Sequence, residues 1–251
     1  MKKQTIEVYD RVFPKFARPA IHPKVSDILN RFPRGSLLDL PSGSGALSYR
    51  LSKEGFCVTA CDIRPEQFKP IEIPVVAGDL RRRFPFDDNL FDYATFVEGP
   101  EHSENPLFAF REFARVLKPG GRLIVTLPNY TNIEQRLRYL FFGSTEKCIT
   151  QERLQNSGGI ASMLHITPLG YTQLRFFLET AGFEIELIEQ DVIKKKQYLL
   201  KPLAMTIQLI SKIADRGNQA KYWASQANSN KILMGGNTLI VMARHSENNR
   251  L

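Results

Sequence analysis

The sequence predicts a doubly wound α/β fold, and three observations predict it. Short apolar runs recur seven times, at 36–40, 57–62, about 73–77, 91–99, 122–128, 183–189 and 238–244. Stretches of helical periodicity separate several of them, at 46–54, 106–117 and 168–182. The first run ends in Asp39 and a Pro-Ser-Gly-Ser-Gly turn, and the second ends in Asp62. Strands alternating with helices on this scale build a parallel sheet with helices on both faces.

Taken in order, residues 4–16 read as a short amphipathic helix and 23–32 as a second, opened by Pro23 and stopped by Pro33 and Gly35. Strand 36–40 and helix 46–54 follow, the helix ended by Gly55. Strand 57–62 leads to IPVVAGD, a strand with an acidic tip at Asp79. FDYATFVEG at 91–99 is the fourth strand. PLFAFREFARVL carries Pro106 in the first helical turn, where its missing N–H costs nothing. LKPGG reads as a plain turn before the fifth strand, 122–128. The pattern then breaks at 129–167, a polar and aromatic stretch read as irregular, with Gly158–Gly159 as a lid hinge. Helix 168–182, strand 183–189, a basic insertion at 190–237 and strand 238–244 complete the chain. One domain over 1–251 is expected: N-terminal helices at 1–35, a ligand-binding core at 36–129, and the insertions 129–167 and 190–237 as a cap.

No apolar stretch reaches the roughly 18–20 residues of a membrane span, and MKKQTIEVYDR lacks the apolar region of a secretory signal. Cys57, Cys61 and Cys148 are few and odd in number, and the first two face one side of one strand. Reduced thiols in a cytoplasm are the reading. The four histidines are scattered and no Cys/His cluster has ligand spacing, so no metal is expected. Of the net charge of +8, residues 191–251 hold +7 (ten Lys/Arg against three Asp/Glu). That segment is either a solvated face or a contact for an anionic partner such as phospholipid, glycan or nucleic acid.

The span LLDLPSGSGALSYRLSKEGFCVTACD carries the chemistry. Its glycines let backbone approach a ligand, the helix behind favours anionic groups, and an acid at the second strand tip accepts from ribose hydroxyls. An adenosine-containing cofactor follows. The rival, NAD, requires G-x-G-x-x-G/A, and here Ser48 occupies the third position.

These residues resemble the class I S-adenosylmethionine (SAM)-dependent methyltransferases. LLDLPSGSG resembles that family's first motif, CVTACD the second and VVAGDL the third, while FDYATFVEGPEHSENP and REFARVLKPGGRLIVTLPN resemble its fourth- and fifth-strand blocks. The match covers about 36–129. It implies a seven-stranded sheet with the last strand antiparallel, a methyltransferase activity, and SAM as cofactor with S-adenosylhomocysteine as product. Pro41 stands where the family usually has glycine and offers no N–H.

The resemblance implies the following roles. Gly43 and Gly45 form the floor beneath the methionine part, beside Pro41, and Asp39 orients its amino group. Asp62 holds the ribose, with Ile63 adjacent. Asp79 accepts from the adenine amine, with Gly78 and Leu80 lining the base; capping of the turn at 81–83 is the alternative for Asp79. Glu98, Gly99, Glu101 and His102 follow the fourth strand, where open α/β sheets bind ligands. His102 is the first base candidate and His165 the second, each with a structural role as the alternative. Asn129 and Tyr130 line the acceptor pocket, and Tyr9, with Phe13 and Phe16, closes over it.

The arrangement after the fifth strand resembles methyltransferases of surface-glycan and lipid biosynthesis. It suggests O-methylation of a small molecule, a sugar or a lipid-linked intermediate. KKKQYLLKPLAMTIQLISKIADR reads as a helix packed on the domain, with an interfacial helix as the alternative, which would place the chain at the inner face of the membrane. An RNA methyltransferase is the second hypothesis, motivated by the basic tail. It is disfavoured because EGPE replaces the Asn/Asp-Pro-Pro-aromatic tetrad of adenine N-methyltransferases and because aromatics for stacking are few. A non-catalytic SAM-binding scaffold is the third.

Overall fold

The computed structural model describes residues 17–145, 149–158, 164–217 and 223–246. The expected N-terminal helix with Tyr9, Phe13 and Phe16, together with Cys148 and Gly159, lies outside them. Seven strands form one sheet: β1 (Ser36–Asp39), β2 (Cys57–Asp62), β3 (Val75–Ala77), β4 (Phe91–Val97), β5 (Leu117–Pro128), β6 (Phe183–Gln190) and β7 (Thr238–His245). Their order is β3-β2-β1-β4-β5-β7-β6. The β1, β2, β3, β4 and β5 pairings are parallel, and β7 runs antiparallel to both β5 and β6.

The alternation along each strand sends neighbours to opposite faces. In β5, Leu123, Val125 and Leu127 enter one core with Leu38 and Val241, while Ile124 enters the other with Leu37 and Ile240. The first core is closed by α3 (Pro106–Val116) and α6 (Tyr171–Thr180), through Phe110, Phe113, Leu174 and Leu178. The second is closed by α1 (Ile21–Leu29) and α2 (Ala46–Lys53), through Val25, Leu29, Leu47 and Leu51. Both faces are therefore covered, which a largely parallel sheet requires.

Four sequence expectations change. Helix α1 begins at Ile21, so Pro23 sits inside its first turn, where no backbone partner is lost. Strand β4 stops at Val97 because Glu98 takes a left-handed φ of 48°. LKPGG is a bulge within β5: Leu117 pairs with Phe91 and Arg122 with Tyr93, and Gly120 turns the loop at φ 77°. The stretch 129–167 is not irregular throughout, for it holds α4 (Ile133–Phe142) and α5 (Gln151–Asn156). Asn132 caps α4 by accepting from the Gln135 N–H at 2.9 Å, and Thr150 caps α5 by accepting from Arg153 at 3.2 Å. The 190–237 insertion forms α7 (Lys201–Gly217), α8 (Ala224–Ala227) and α9 (Asn230–Leu233). Pro202 does not break this segment; it lies in the first turn of α7.

Candidate functional site

The carboxyl ends of β1, β2, β3 and β4 surround a cavity of about 560 Å³. The sheet order reverses beside β1, the place where open α/β sheets leave a crevice. Ten of the eleven residues expected to bind a cofactor line it: Asp39, Pro41, Gly43, Asp62, Ile63, Gly78, Asp79, Leu80, Glu98 and Gly99; Gly45 does not, and lies in the turn behind. Gly45 has φ 88°, and a Cβ there would lie 2.5 Å from the Pro70 ring, so this corner admits glycine alone.

Asp39 is 1% exposed. Its oxygens accept from the Ser48 hydroxyl at 2.5 Å and the Thr95 hydroxyl at 2.7 Å. Burial outweighs these bonds and pushes its carboxyl up to about 6. Glu98 lies across the cavity and accepts from the Thr126 hydroxyl at 3.2 Å. Burial raises it to about 7. Asp62 accepts from the Gly43 N–H at 2.8 Å and from the Arg64 N–H at 2.9 Å. It therefore caps the glycine turn, while each oxygen keeps a second lone pair. Asp79 also caps its own turn. It accepts from the Arg81 N–H at 2.9 Å and pairs with the Arg81 guanidinium at 2.8 Å, which holds its carboxyl below the usual range.

His102 and His165 both line the cavity, their rings 4.9 Å apart and edge-on. His102 Nδ1 lies 3.1 Å from the Leu164 carbonyl. A carbonyl only accepts, so Nδ1 carries the proton in neutral imidazole and Nε2 carries the lone pair. The Tyr130 hydroxyl meets His165 Nδ1 at 3.2 Å. Glu101 is fully buried, and atoms of metal-ligand type on Glu101, His102 and His165 lie within 4.8 Å of one another. Histidines scattered in sequence thus meet in space.

Three residues expected to meet the acceptor, Glu101, Asn129 and Tyr130, stand apart from the cavity wall, Glu101 because it is fully buried behind it. The Asn129 amide donates to the Ile232 carbonyl at 2.9 Å and ties the β5 tip to α9. It is 3% exposed and serves packing. Tyr130 is buried, and its hydroxyl meets the cavity-lining His165. The sequence reading missed His22, Ser42, Ser44 and Ser103, all of which line it. Ser42 Oγ and Ser103 Oγ are buried with no hydrogen-bond partner among the described residues. The serines of PSGSG stood in the quoted motif and carried a signal; His22 and Ser103 carried none.

Residues 38–125 match the family model described as a methyltransferase domain. A demethylmenaquinone methyltransferase of Corynebacterium kroppenstedtii is 37% identical over 119 residues, 46% of this chain and 48% of that protein. One of Mycobacterium tuberculosis is 38% identical over 96 residues, 37% of this chain and 41% of that one. The chain thus spans about half the length of the curated relatives it matches. Among solved structures, an S-adenosylmethionine-dependent methyltransferase of Thermotoga maritima superposes with TM-score 0.56 at 16% identity, over 98% of this chain and 95% of that one. A Haemonchus contortus phosphoethanolamine N-methyltransferase in complex with S-adenosylmethionine gives 0.53 at 19% identity, over 96% and 57%. The solved structures share the seven-stranded fold, a Rossmann-like methyltransferase fold, and within it residues 38–125 resemble a methyltransferase domain.

Proposed function

We propose that the chain transfers a methyl group from SAM to a small-molecule acceptor, using the cavity at the carboxyl edge of the sheet. One observation carries the reading. Asp39 is buried and Glu98 half-buried there, with carboxyls pushed up to about 6 and about 7, and among the described residues no side-chain cation hydrogen-bonds either of them. Such a site favours a cationic ligand and opposes a pyrophosphate. SAM supplies an electrophilic methyl on a sulfonium and carries an ammonium as well. The two buried hydroxyls without partners, Ser42 Oγ and Ser103 Oγ, suit a polar ligand.

In this reading Asp39 and the Pro41–Gly45 turn hold the amino-acid end of the ligand, and Asp62 with Ile63 holds its ribose. Gly78, Asp79 and Leu80 take the base, with Asp79 shared between Arg81 and the ligand. Glu98 and Gly99 close the sulfonium side. Methyl transfer is then a task of alignment and water exclusion. A hydroxyl nucleophile also needs its proton removed, and His102 Nε2 is the acceptor, with His165 beside it. Oxygen is the atom methylated. The acceptor is a small molecule, a glycan unit or a lipid-linked intermediate, met by the insertions 129–167 and 190–237 acting as a cap on a single domain. The names of the curated relatives favour a second reading, a quinone-type ring as acceptor.

The experiment is calorimetry with SAM on the wild type, Asp62→Ala and Asp62→Asn, with melting curves alongside, followed by a turnover screen. Asp62→Ala should weaken binding at least tenfold while the protein stays folded. Unchanged affinity would remove the ribose role. Turnover with glycans or lipid-linked hydroxyls supports the oxygen reading, turnover with quinone precursors the ring reading, and turnover on RNA would overturn both.

A further inference from the structure

Helix α7 has two apolar stripes, and the fold uses one. The inner stripe, Ala204 and Ile207, packs with Ile133 of α4 and Leu233 of α9. The outer stripe is Met205, Leu209 and Ile213, spaced four apart and so aligned on one side of the helix. These three are between 59% and 62% exposed, and Ile210 beside them is 60% exposed. The short 3-10 helix before α7 (Lys195–Leu200) adds Leu199, 88% exposed. Single exposed apolar residues are ordinary, but a row of them marks an interaction surface.

The charge around this row is mostly basic, with Asp191 and Asp215 at the two ends of the segment. Residues 192–214 contain five lysines and neither Asp nor Glu. Lys194 pairs with Glu134 at 2.5 Å. Lys195, Lys196, Lys201 and Lys212 are exposed, and among the described residues no ion pair engages them. An apolar row bordered by unpaired lysines complements a surface that is greasy beneath and anionic at its rim. A bilayer with acidic headgroups has that profile. At about 1.5 Å rise per residue, the 17 residues of α7 reach about 25 Å, short of the ~30 Å hydrocarbon layer. No helix among the described residues is long and apolar enough to cross a membrane.

We propose that the outer face of α7, with its lysine border, seats the chain on an anionic lipid bilayer, the helix lying in the interface. Helix α4, which shares the inner packing of α7, starts just past Tyr130, and Tyr130 meets His165 at the cavity wall. The docking stands independently of the methyl-transfer reading, because vesicle binding and SAM binding are read separately.

The test is co-sedimentation of the full chain with vesicles of phosphatidylcholine alone and of equal parts phosphatidylcholine and phosphatidylglycerol. The wild type should pellet with the mixed vesicles and stay in solution with the neutral ones. Lys195→Glu with Lys196→Glu should lower partitioning about tenfold or more. Leu209→Glu with Ile213→Glu should abolish it, with SAM affinity and melting midpoint kept, because both side chains are exposed. A second probe keeps the native charge: Ile213→Trp emission, after subtraction of the wild type's single Trp223, should shift to the blue on adding the mixed vesicles. Equal binding to both vesicle types, no binding to either, or full binding by the double Glu variant would overturn the proposal. So would an Ile213→Trp emission already blue-shifted without lipid in a dimer, which would assign the face to a second copy.

Discussion

Asp39 sits where a carboxylate is costly. Its two hydroxyl donors offset only part of the desolvation, so its carboxyl is pushed up to about 6, above the ordinary carboxylate range. A group raised in the folded state makes folding less favourable as pH climbs from about 4 to about 6, because the unfolded chain ionises first. Ligand binding runs the other way. An ammonium pairs with the ionised form, so SAM affinity should fall as pH drops below about 7, where Glu98 takes up its proton, and again below about 6. Each unit below a pKa removes about tenfold of the ionised form. Calorimetry from pH 8 to pH 5 should show both steps, and Asp39→Asn should erase the lower one. A flat profile in the wild type would contradict the cationic-ligand reading. For the histidines, His102→Gln should lower turnover about 10²-fold or more with SAM affinity kept, the range of a lost general base. Loss of affinity with turnover intact would make His102 a cofactor contact.

The glycine turn shows how one element is held by its neighbours. Gly45 meets two demands at once, a left-handed backbone and a Cβ position filled by Pro70 and Phe68. Gly45→Ala should cost about 2 kcal/mol or more, from φ strain plus overpacking, read as a lower melting midpoint with SAM binding lost. At the other end of the site, Asn132 caps α4 and also donates to the Gly236 carbonyl at 2.8 Å, joining the two insertions. Asn132→Ala should cost about 2–3 kcal/mol, the sum of a lost cap and an unpaired buried carbonyl. The Asn132–Gln135 spacing is a capping signal that the reading of 129–167 as irregular passed over. The surrounding polar and aromatic residues hid it, because α4 buries little beyond Ile133 and so lacks a strong apolar period.

Across the protein, ligand and fold are coupled by mass action. Saturating SAM at about a hundredfold over its Kd should stabilise by about 2.7 kcal/mol, seen as a melting midpoint that rises with SAM and not with NAD. The reverse preference would point to a dinucleotide.

Strands, their order of appearance and the acids at their tips could be read from the chain alone. Each depends on period-two or period-3.6 patterns and on turn residues within a few positions of one another. The pairing of β7 between β5 and β6, the meeting of His102 with His165, and the arrival of His22 and Ser103 at the cavity could not. Those contacts join residues far apart in sequence, and packing of both sheet faces selects them. The same holds for Asp62 and Asp79, whose types were plain but whose hydrogen bonds to Gly43 and Arg81 exist only once the turns have closed. Helix α7 is the sharpest case: its apolar content was visible, yet which stripe faces the core and which faces outward depends on where Ile133 and Leu233 come to rest.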